Sequence, residues 1–228
     1  MLPIIIIVLL FAGLLALPSF WVQRVMRRYS EPGDRYPGSG GELARHLLDE
    51  LHLQDVLAEV TDSGDHYDPV ARAVRLSKAN FHGKSLTAVT VAAHEVGHAL
   101  QHRDSYRPFM LRQQMVQLSI FAQKLAGVML ILAPLLALLA RSPRLASLAL
   151  FAGVLSMLMS SLVHLVTLPT ELDASFGRAL PIMQQGGFLK SGDEPHARRV
   201  LKAAALTYVA ASLVSILNLG RWLTVLRR

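Results

Sequence analysis

The sequence predicts a mainly α-helical integral membrane protein with a small β-hairpin or sheet in its polar part. Of its 228 residues, 52% are hydrophobic and only 17% are charged. The mean hydropathy of +0.38 is too high for an ordinary globular domain. Apolar runs lie at residues 4–17, 118–140 and 145–168, and the last two are long enough to cross about 30 Å of hydrocarbon as helices.

Residues 1–23 are predicted to form an N-terminal transmembrane anchor. No positive charge precedes the aliphatic run at 4–17, whereas Arg24, Arg27 and Arg28 follow it. A cleaved secretory signal has the reverse arrangement, so we expect this span to be retained. The positive-inside rule then places the N-terminus outside and the three arginines inside.

Residues 24–117 are predicted to form the cytosol-facing part. After a linker rich in Pro and Gly, Ser39 and Glu42 form the pattern of a capping box, which starts a helix that runs to about residue 53. Residues 71–77 alternate apolar and basic side chains, as a short strand does. The edge of such a hairpin or sheet could bind an extended peptide by backbone pairing, or the hairpin could be purely structural.

Residues 92–101 contain the spacing H-E-x-x-H in an apolar segment. Residues four apart share one face of a helix, so His94 and His98 can both present a ring nitrogen to one Zn²⁺. Glu95 is then placed to take the proton of a water molecule that attacks a carbonyl. Because the chain has no cysteine, any metal must be bound by His and carboxylate side chains.

Residues 118–168 are predicted to form a transmembrane hairpin with a turn at 141–144. The hairpin returns the chain to the inner side, so residues 169–228, with a third-ligand helix and a C-terminal apolar helix, lie on the same side as His94. The apolar run at 203–219 is short for a span and is followed by arginines. A fourth span would put these arginines outside, against the charge rule, so the run could instead be re-entrant or pack beneath the site.

The third zinc ligand must come from elsewhere in the chain, because a catalytic zinc usually has three protein ligands and one open position. His102 is a poor candidate, since its Cα lies about 12 Å along the helix from that of His94. Glu171 is the better candidate, because it starts a helix on the same side of the membrane just after the hairpin. Asp173 is the alternative ligand, or it could orient a ligand histidine.

Five stretches carry a resemblance to a known family: residues 65–69 (Asp-His-Tyr-Asp-Pro), 74–77 (Val-Arg-Leu-Ser), 92–101 (Ala-Ala-His-Glu-Val-Gly-His-Ala-Leu-Gln), 167–175 (Thr-Leu-Pro-Thr-Glu-Leu-Asp-Ala-Ser) and 205–211 (Ala-Leu-Thr-Tyr-Val-Ala-Ala). On these stretches the chain resembles the YugP-type neutral zinc metallopeptidases of bacterial membranes. The resemblance implies that His94, His98 and an acidic residue bind zinc and that Glu95 is the catalytic base.

The chain is also similar to the HtpX-type membrane proteases. These place a transmembrane hairpin between the H-E-x-x-H helix and a downstream glutamate ligand. The resemblance implies the same plan here: a zincin-like H-E-x-x-H helix within residues 24–117 and a transmembrane hairpin inserted before the third zinc ligand. They carry an Asp four residues after that glutamate. Here Ser175 stands at that position and the aspartate is at 173, so the choice between Glu171 and Asp173 stays open.

The expected function is that of a multi-pass zinc metalloendopeptidase of the bacterial inner membrane, with its active site facing the cytoplasm. Its substrates would be membrane-associated or unfolded proteins, and Tyr208 or, second, His66 would stabilise the oxyanion. The alternative is a zinc-stabilised, non-proteolytic membrane scaffold or partner-binding subunit. The net charge is +7, and the basic residues lie beside apolar runs. This favours the lipid bilayer and membrane protein partners over nucleic acid.

Overall fold

The central element of the fold is helix α3 (Leu86–Arg103), whose residues from Leu86 to Gln101 are all buried. The computed structural model describes residues 17–140, 151, 163 and 167–207, and most of this part packs around α3. Apolar and small side chains lie on every side of the helix, which is the pattern of a helix buried all round. Ser85 caps its N-terminus, where the hydroxyl oxygen accepts a hydrogen bond from the Ala88 N–H at 3.2 Å.

Helix α1 (Gly40–Glu50) packs along α3 and follows helical residues 17–29 and a linker. The predicted capping box is confirmed. The Ser39 hydroxyl accepts from the Glu42 N–H at 3.2 Å, and the Glu42 carboxylate accepts from the Ser39 N–H at 2.7 Å. Leu47 and Leu48 are almost fully buried, so the leucine-rich face of α1 covers one side of α3.

A three-stranded sheet covers another side of α3, in the order β1 (Leu57–Thr61), β3 (Ala73–Ser77), β2 (His66–Asp68). β3 is parallel to β1 and antiparallel to β2. Val74 and Leu76 of β3 are fully buried, whereas Arg75 between them forms ion pairs on the other face of the sheet. The predicted strand at 71–77 is thus confirmed, because its alternation separates a buried face from a polar face.

Two further helices flank α3. The short α2 (Lys78–His82) follows β3 directly, and the long α4 (Arg107–Ala140) starts just after α3 ends. Phe109, near the start of α4, is 1% exposed. Its ring centroid lies 6.2 Å from that of His98 and 5.7 Å from that of His102. The first turn of α4 therefore packs against the part of α3 that carries the H-E-x-x-H residues.

Helical residues 167–172 continue without a break into a π-helix (Asp173–Ala179) and then into α5 (Leu180–Gln185). Pro181 gives a physical reason for the wider π-helical turns, because a proline ring collides with the carbonyl four residues earlier in a regular α-helix. The π-helix packs directly on α3. A last described helix spans residues 194–207.

The predicted fold class, an integral membrane protein with a transmembrane hairpin, is wrong. Within residues 17–140 and 167–207, no helix is both long enough and apolar enough to cross a membrane. Helix α4 contains the predicted span at 118–140, but it starts at Arg107 and carries polar side chains such as Arg112, Gln117 and Lys124.

Several other predicted features fall wholly or largely outside the described residues. They are the anchor at 1–23, the turn at 141–144, the span at 145–168, the apolar run at 203–219 and the side chain of Tyr208. Much of the apolar content that the structure does describe forms a protein core around α3.

Candidate metal centre

Three buried side chains from two distant parts of the chain converge on one point. The Nε2 atoms of His94 and His98, one turn apart on α3, lie 3.2 and 3.3 Å from the Oε2 atom of Glu171. Glu171 is fully buried, and both imidazoles are 4% exposed. These are the residues that the sequence singled out, and they form the His/carboxylate group within residues 17–140 and 167–207 that could bind a metal ion.

The other ring nitrogen of His98 is held by Gln101. His98 Nδ1 lies 2.9 Å from Gln101 Oε1, and the amide nitrogen of Gln101 donates to the carbonyl oxygen of Thr170 and to Asp173 Oδ2, both at 2.8 Å. These two acceptors fix the orientation of the amide, so its oxygen must accept from His98 Nδ1–H. The Nε2 lone pair of His98 is thereby left facing Glu171.

Ser175 does the same for His94. Its hydroxyl donates to the carbonyl oxygen of Leu201 at 3.2 Å and lies 3.0 Å from His94 Nδ1. Because the hydroxyl has only one proton, its oxygen accepts from His94 Nδ1–H. The Nε2 lone pair of His94 is thereby also directed at Glu171.

Three lone pairs that face one another in a buried site require a cation between them. Neither carboxylate oxygen of Glu171 has a hydrogen-bond partner among the described residues, and a buried acceptor without a partner costs about 1–3 kcal/mol. Two atoms bonded to a tetrahedral zinc at about 2.0–2.1 Å lie about 3.3–3.4 Å apart, close to the 3.2 and 3.3 Å separations here. The donor set of two imidazoles and one carboxylate therefore fits Zn²⁺.

The charges in the site act in opposite directions on its two carboxyl groups. Burial alone would raise the pKa of Glu171, but the charge of His98 and His94 and their hydrogen bonds, present when both rings carry a proton on Nε2, hold the pKa well below its usual range. When the rings are neutral, a bound zinc ion would supply this positive charge in their place. Burial raises the pKa of Glu95 to about 7, an effect that His94 opposes and the charge of Glu171 reinforces. Glu171 is thus a permanent anion, whereas Glu95 can exchange a proton near neutral pH.

Arg112 of α4 is a further member of the site that the sequence did not suggest. A guanidinium nitrogen lies 3.6 Å from Glu171 Oε1, whereas the two imidazoles face Oε2 of the same carboxylate, and the Arg112 side chain is 14% exposed. Arg112 follows Phe109 by one helical turn, and Phe109 packs against His98. The closeness of Arg112 to the site can therefore be inferred only once the contact between α3 and α4 is known.

The remaining predicted site residues lie elsewhere. Asp173 pairs with Arg178 at 2.9 Å and accepts from Gln101, so it supports the residue that orients His98. His66 and Tyr67 point to opposite faces of β2. Tyr67 turns towards α3, with its hydroxyl 2.9 Å from His102 Nδ1, whereas His66 Nδ1 lies 2.8 Å from the carbonyl oxygen of Gly64. Tyr208 is outside the described residues.

The sequence motifs contain Gln101 and Ser175 but do not indicate a role for either residue. The signal for both was their chemistry, because each is a polar residue in an apolar segment. Gln101 follows His98 by three residues, and Ser175 follows Glu171 by four. Both are fully buried, and buried polar groups need partners. Their partners could not be identified from the sequence, because Ser175 lies 81 residues from His94 along the chain.

Comparison with known proteins also indicates a zinc site. Residues 4–227 match the family described as "Putative neutral zinc metallopeptidase". The chain is 41% identical over 214 residues to "Putative membrane protease YugP" of Bacillus subtilis (strain 168), with 91% of each chain covered. No solved structure matches the chain. The predicted resemblance is confirmed. Zinc is the cofactor of the family, and the chain belongs to this family.

Proposed function

We propose that the protein is a zinc endopeptidase that hydrolyses peptide bonds of membrane-associated or unfolded proteins, with His94, His98 and Glu171 as its zinc ligands. One observation carries this proposal: two imidazole lone pairs and a buried carboxylate converge at separations of 3.2 and 3.3 Å. Bound zinc would polarise the substrate carbonyl and lower the pKa of a water molecule to about 7.

Glu95 is the proposed general base. It follows His94 directly on α3 and is 6% exposed, so its carboxylate lies in a nearly dry environment next to the ligands. With a pKa raised to about 7 by burial, it can take a proton from the attacking water and return it to the leaving amine. A zinc site that only stabilises a scaffold needs no such base, and this distinguishes the proposal from the non-proteolytic alternative.

The variant Glu95→Gln tests this assignment. It keeps the size of the side chain and removes the proton acceptor, so we expect zinc content to stay at the wild-type level while cleavage of casein falls by at least about 10²-fold. Treatment of the wild-type protein with a chelator, followed by addition of zinc, provides the control for metal dependence. Casein cleavage at the wild-type rate by the variant would refute the role of Glu95 and favour the scaffold.

We also propose that the enzyme works at the cytoplasmic face of a bacterial inner membrane. The relative from Bacillus subtilis carries the words "membrane protease" in its name. In the helical residues 17–29, Phe20 and Trp21 are exposed and precede three arginines that are also exposed. Exposed aromatic and basic side chains together suit an anionic lipid surface.

Vesicle flotation of the full chain tests this association. Replacing Arg24, Arg27 and Arg28 together by glutamine should reduce binding to vesicles that contain anionic lipid. Equal binding of wild type and variant to anionic vesicles would show that these arginines do not contribute.

A further inference from the structure

Arg112 brings a permanent positive charge to the proposed zinc site. Its guanidinium lies 3.6 Å from Glu171 Oε1. An arginine side chain does not lose its proton in proteins. The site therefore contains, beside two carboxylates and two imidazoles, a cation that stays charged at every working pH.

Taken alone, the positive charge of Arg112 disfavours metal binding, because a guanidinium repels a nearby divalent cation. Glu171 offsets part of the repulsion, since one of its oxygens faces the two imidazoles and the other faces Arg112. A fixed cation 3.6 Å from a proposed zinc ligand becomes favourable once negative charge develops at the site. Preorganised donors of this kind usually give the largest contribution to catalysis of acyl transfer.

We propose that Arg112 is the catalytic residue that stabilises the oxyanion, and this inference rests on the proposed peptidase function. When water adds to the carbonyl carbon, a C–O bond forms, one proton passes to Glu95, and the electron pair of the C=O π bond moves to the carbonyl oxygen. Arg112 donates a hydrogen bond to this oxygen. The C–N bond then breaks as the carbonyl reforms, and the proton on Glu95 passes to the amine nitrogen.

The placement of His66, the other described candidate, supports Arg112. His66 points away from α3 on the polar face of the sheet, and its Nδ1 faces the carbonyl oxygen of Gly64. Arg112 is held close to the site by its own helix, because Phe109 one turn earlier packs against His98. The Arg112 side chain is 14% exposed, so it is reachable from solvent at the edge of the site.

Binding of two peptide inhibitors to the zinc-loaded protein tests the proposal without any need for turnover. One probe is a phosphinic peptide, whose tetrahedral anion resembles the transition state, and the other is a thiol peptide with the same leucine and alanine side chains, which has no such anion. Arg112→Gln should weaken binding of the phosphinic peptide by about 10²-fold and leave thiol binding and zinc affinity within about 3-fold of wild type. Arg112→Lys should restore part of the loss, since it keeps the charge without the planar fork.

Arg107→Gln is the matched control, because Arg107 lies on the same helix and is exposed; it should bind both probes as the wild type does. Equal weakening of both probes by Arg112→Gln, or a large change in zinc affinity, would show that Arg112 serves the metal ligands instead. Unchanged phosphinate binding, or no phosphinate binding by the wild type, would also overturn the proposal. If the probes discriminate as expected but the wild type cleaves no peptide, the proposed function fails while anion recognition by Arg112 stands.

Discussion

Each imidazole of the proposed zinc site is oriented by a hydrogen bond at Nδ1, the ring nitrogen that does not face Glu171. Ser175 accepts from His94, and Gln101 accepts from His98. Both supporting residues have their donors occupied by backbone or carboxylate oxygens, so their acceptor atoms have no alternative orientation. Groups of this kind set the tautomer and direction of ligand histidines, and their loss typically weakens metal binding about 10- to 100-fold.

Ser175→Ala should weaken zinc binding by about 10-fold or more. The substitution removes only the hydroxyl, so His94 loses the acceptor for its Nδ1–H while the packing of the π-helix is kept. Competition with a chromophoric chelator measures the affinity. Ser30→Ala is the control, since that hydroxyl also donates to a backbone carbonyl, of Met26, and should leave the affinity unchanged. Wild-type affinity in Ser175→Ala would refute the orienting role of this serine.

The residues that could be found from the sequence are those whose chemistry depends on local spacing. His94, Glu95 and His98 share one helix, and the four-residue interval alone predicts that the two imidazoles face one ion. Glu171 could be proposed only by its place in the chain, and Asp173 could not be excluded. The orienting residues and Arg112 depend on how α3, α4 and the π-helix approach one another, which no local pattern encodes.

At the scale of elements, the site depends on the close approach of α3 to the π-helix. Gly97, between His94 and His98, lies where a Cβ would be 2.7 Å from the carbonyl oxygen of Ala174. Glycine weakens a helix by about 1 kcal/mol relative to alanine, and here it allows Glu171 and Ser175 to reach α3.

Gly97→Ala should destabilise the protein by about 1–3 kcal/mol despite the better helix propensity of alanine, because the added methyl group forces the π-helix away from α3. Zinc affinity should fall with it. Gly127→Ala on α4 is the matched control, since a Cβ there meets nothing within 4 Å, and it should be neutral or stabilising. Denaturant unfolding of both variants measures the difference, and a Gly97→Ala protein as stable as Gly127→Ala would contradict the crowding.

A second link between elements is formed by Asp193, at the start of the last described helix. Arg35 and Tyr36 of the linker before α1 both donate to its carboxylate, from Arg35 Nε at 2.7 Å and from the Tyr36 hydroxyl at 2.6 Å. Asp193 is 1% exposed. The hydrogen bond from Arg35 lowers the pKa of Asp193 despite the burial of the carboxylate, and Tyr36 and His196 act in the same direction.

Because the pKa of Asp193 is lower in the folded chain, its contribution to stability is present above the unfolded value of about 3.9 and is lost as the pH falls through the folded pKa. Asp193→Asn should therefore cost about 1.5–3 kcal/mol at pH 6 and progressively less towards pH 3. Urea unfolding with chelator present measures both proteins across this range. Asp49→Asn, which breaks an exposed pair with Arg45, should cost at most about 0.5 kcal/mol. A pH-independent difference for Asp193→Asn would contradict the assignment.

The elements that the sequence predicted best are those with a local signature. The capping box at Ser39 and the alternation in β3 both depend on residues within one or two turns or strand steps. The parallel pairing of β1 with β3 does not depend on neighbouring residues, because it needs contact across a crossover. The π-helix was not predicted either, since it reflects Pro181 within a continuous helical segment.

At the scale of the whole molecule, composition was a poor guide to architecture. A high apolar content shows that a chain buries much of its surface, but not whether protein or lipid covers it. Helix α3 is buried on every side by protein and is covered by α1, the sheet and the π-helix. Within the described ranges, helical length and polarity do not meet the requirements of a membrane span.

The proposed zinc site also joins two distant parts of the chain, because His94 and Glu171 lie on either side of a long intervening segment. Zinc titration of the wild type, Glu171→Ala and Asp173→Ala tests this closure most directly. We expect one zinc per wild-type chain, a loss of affinity in Glu171→Ala greater than the about 10- to 100-fold typical of supporting residues, and a loss within that range in Asp173→Ala. Wild-type affinity in Glu171→Ala, or a larger loss in Asp173→Ala, would contradict the assignment of Glu171 as the third ligand.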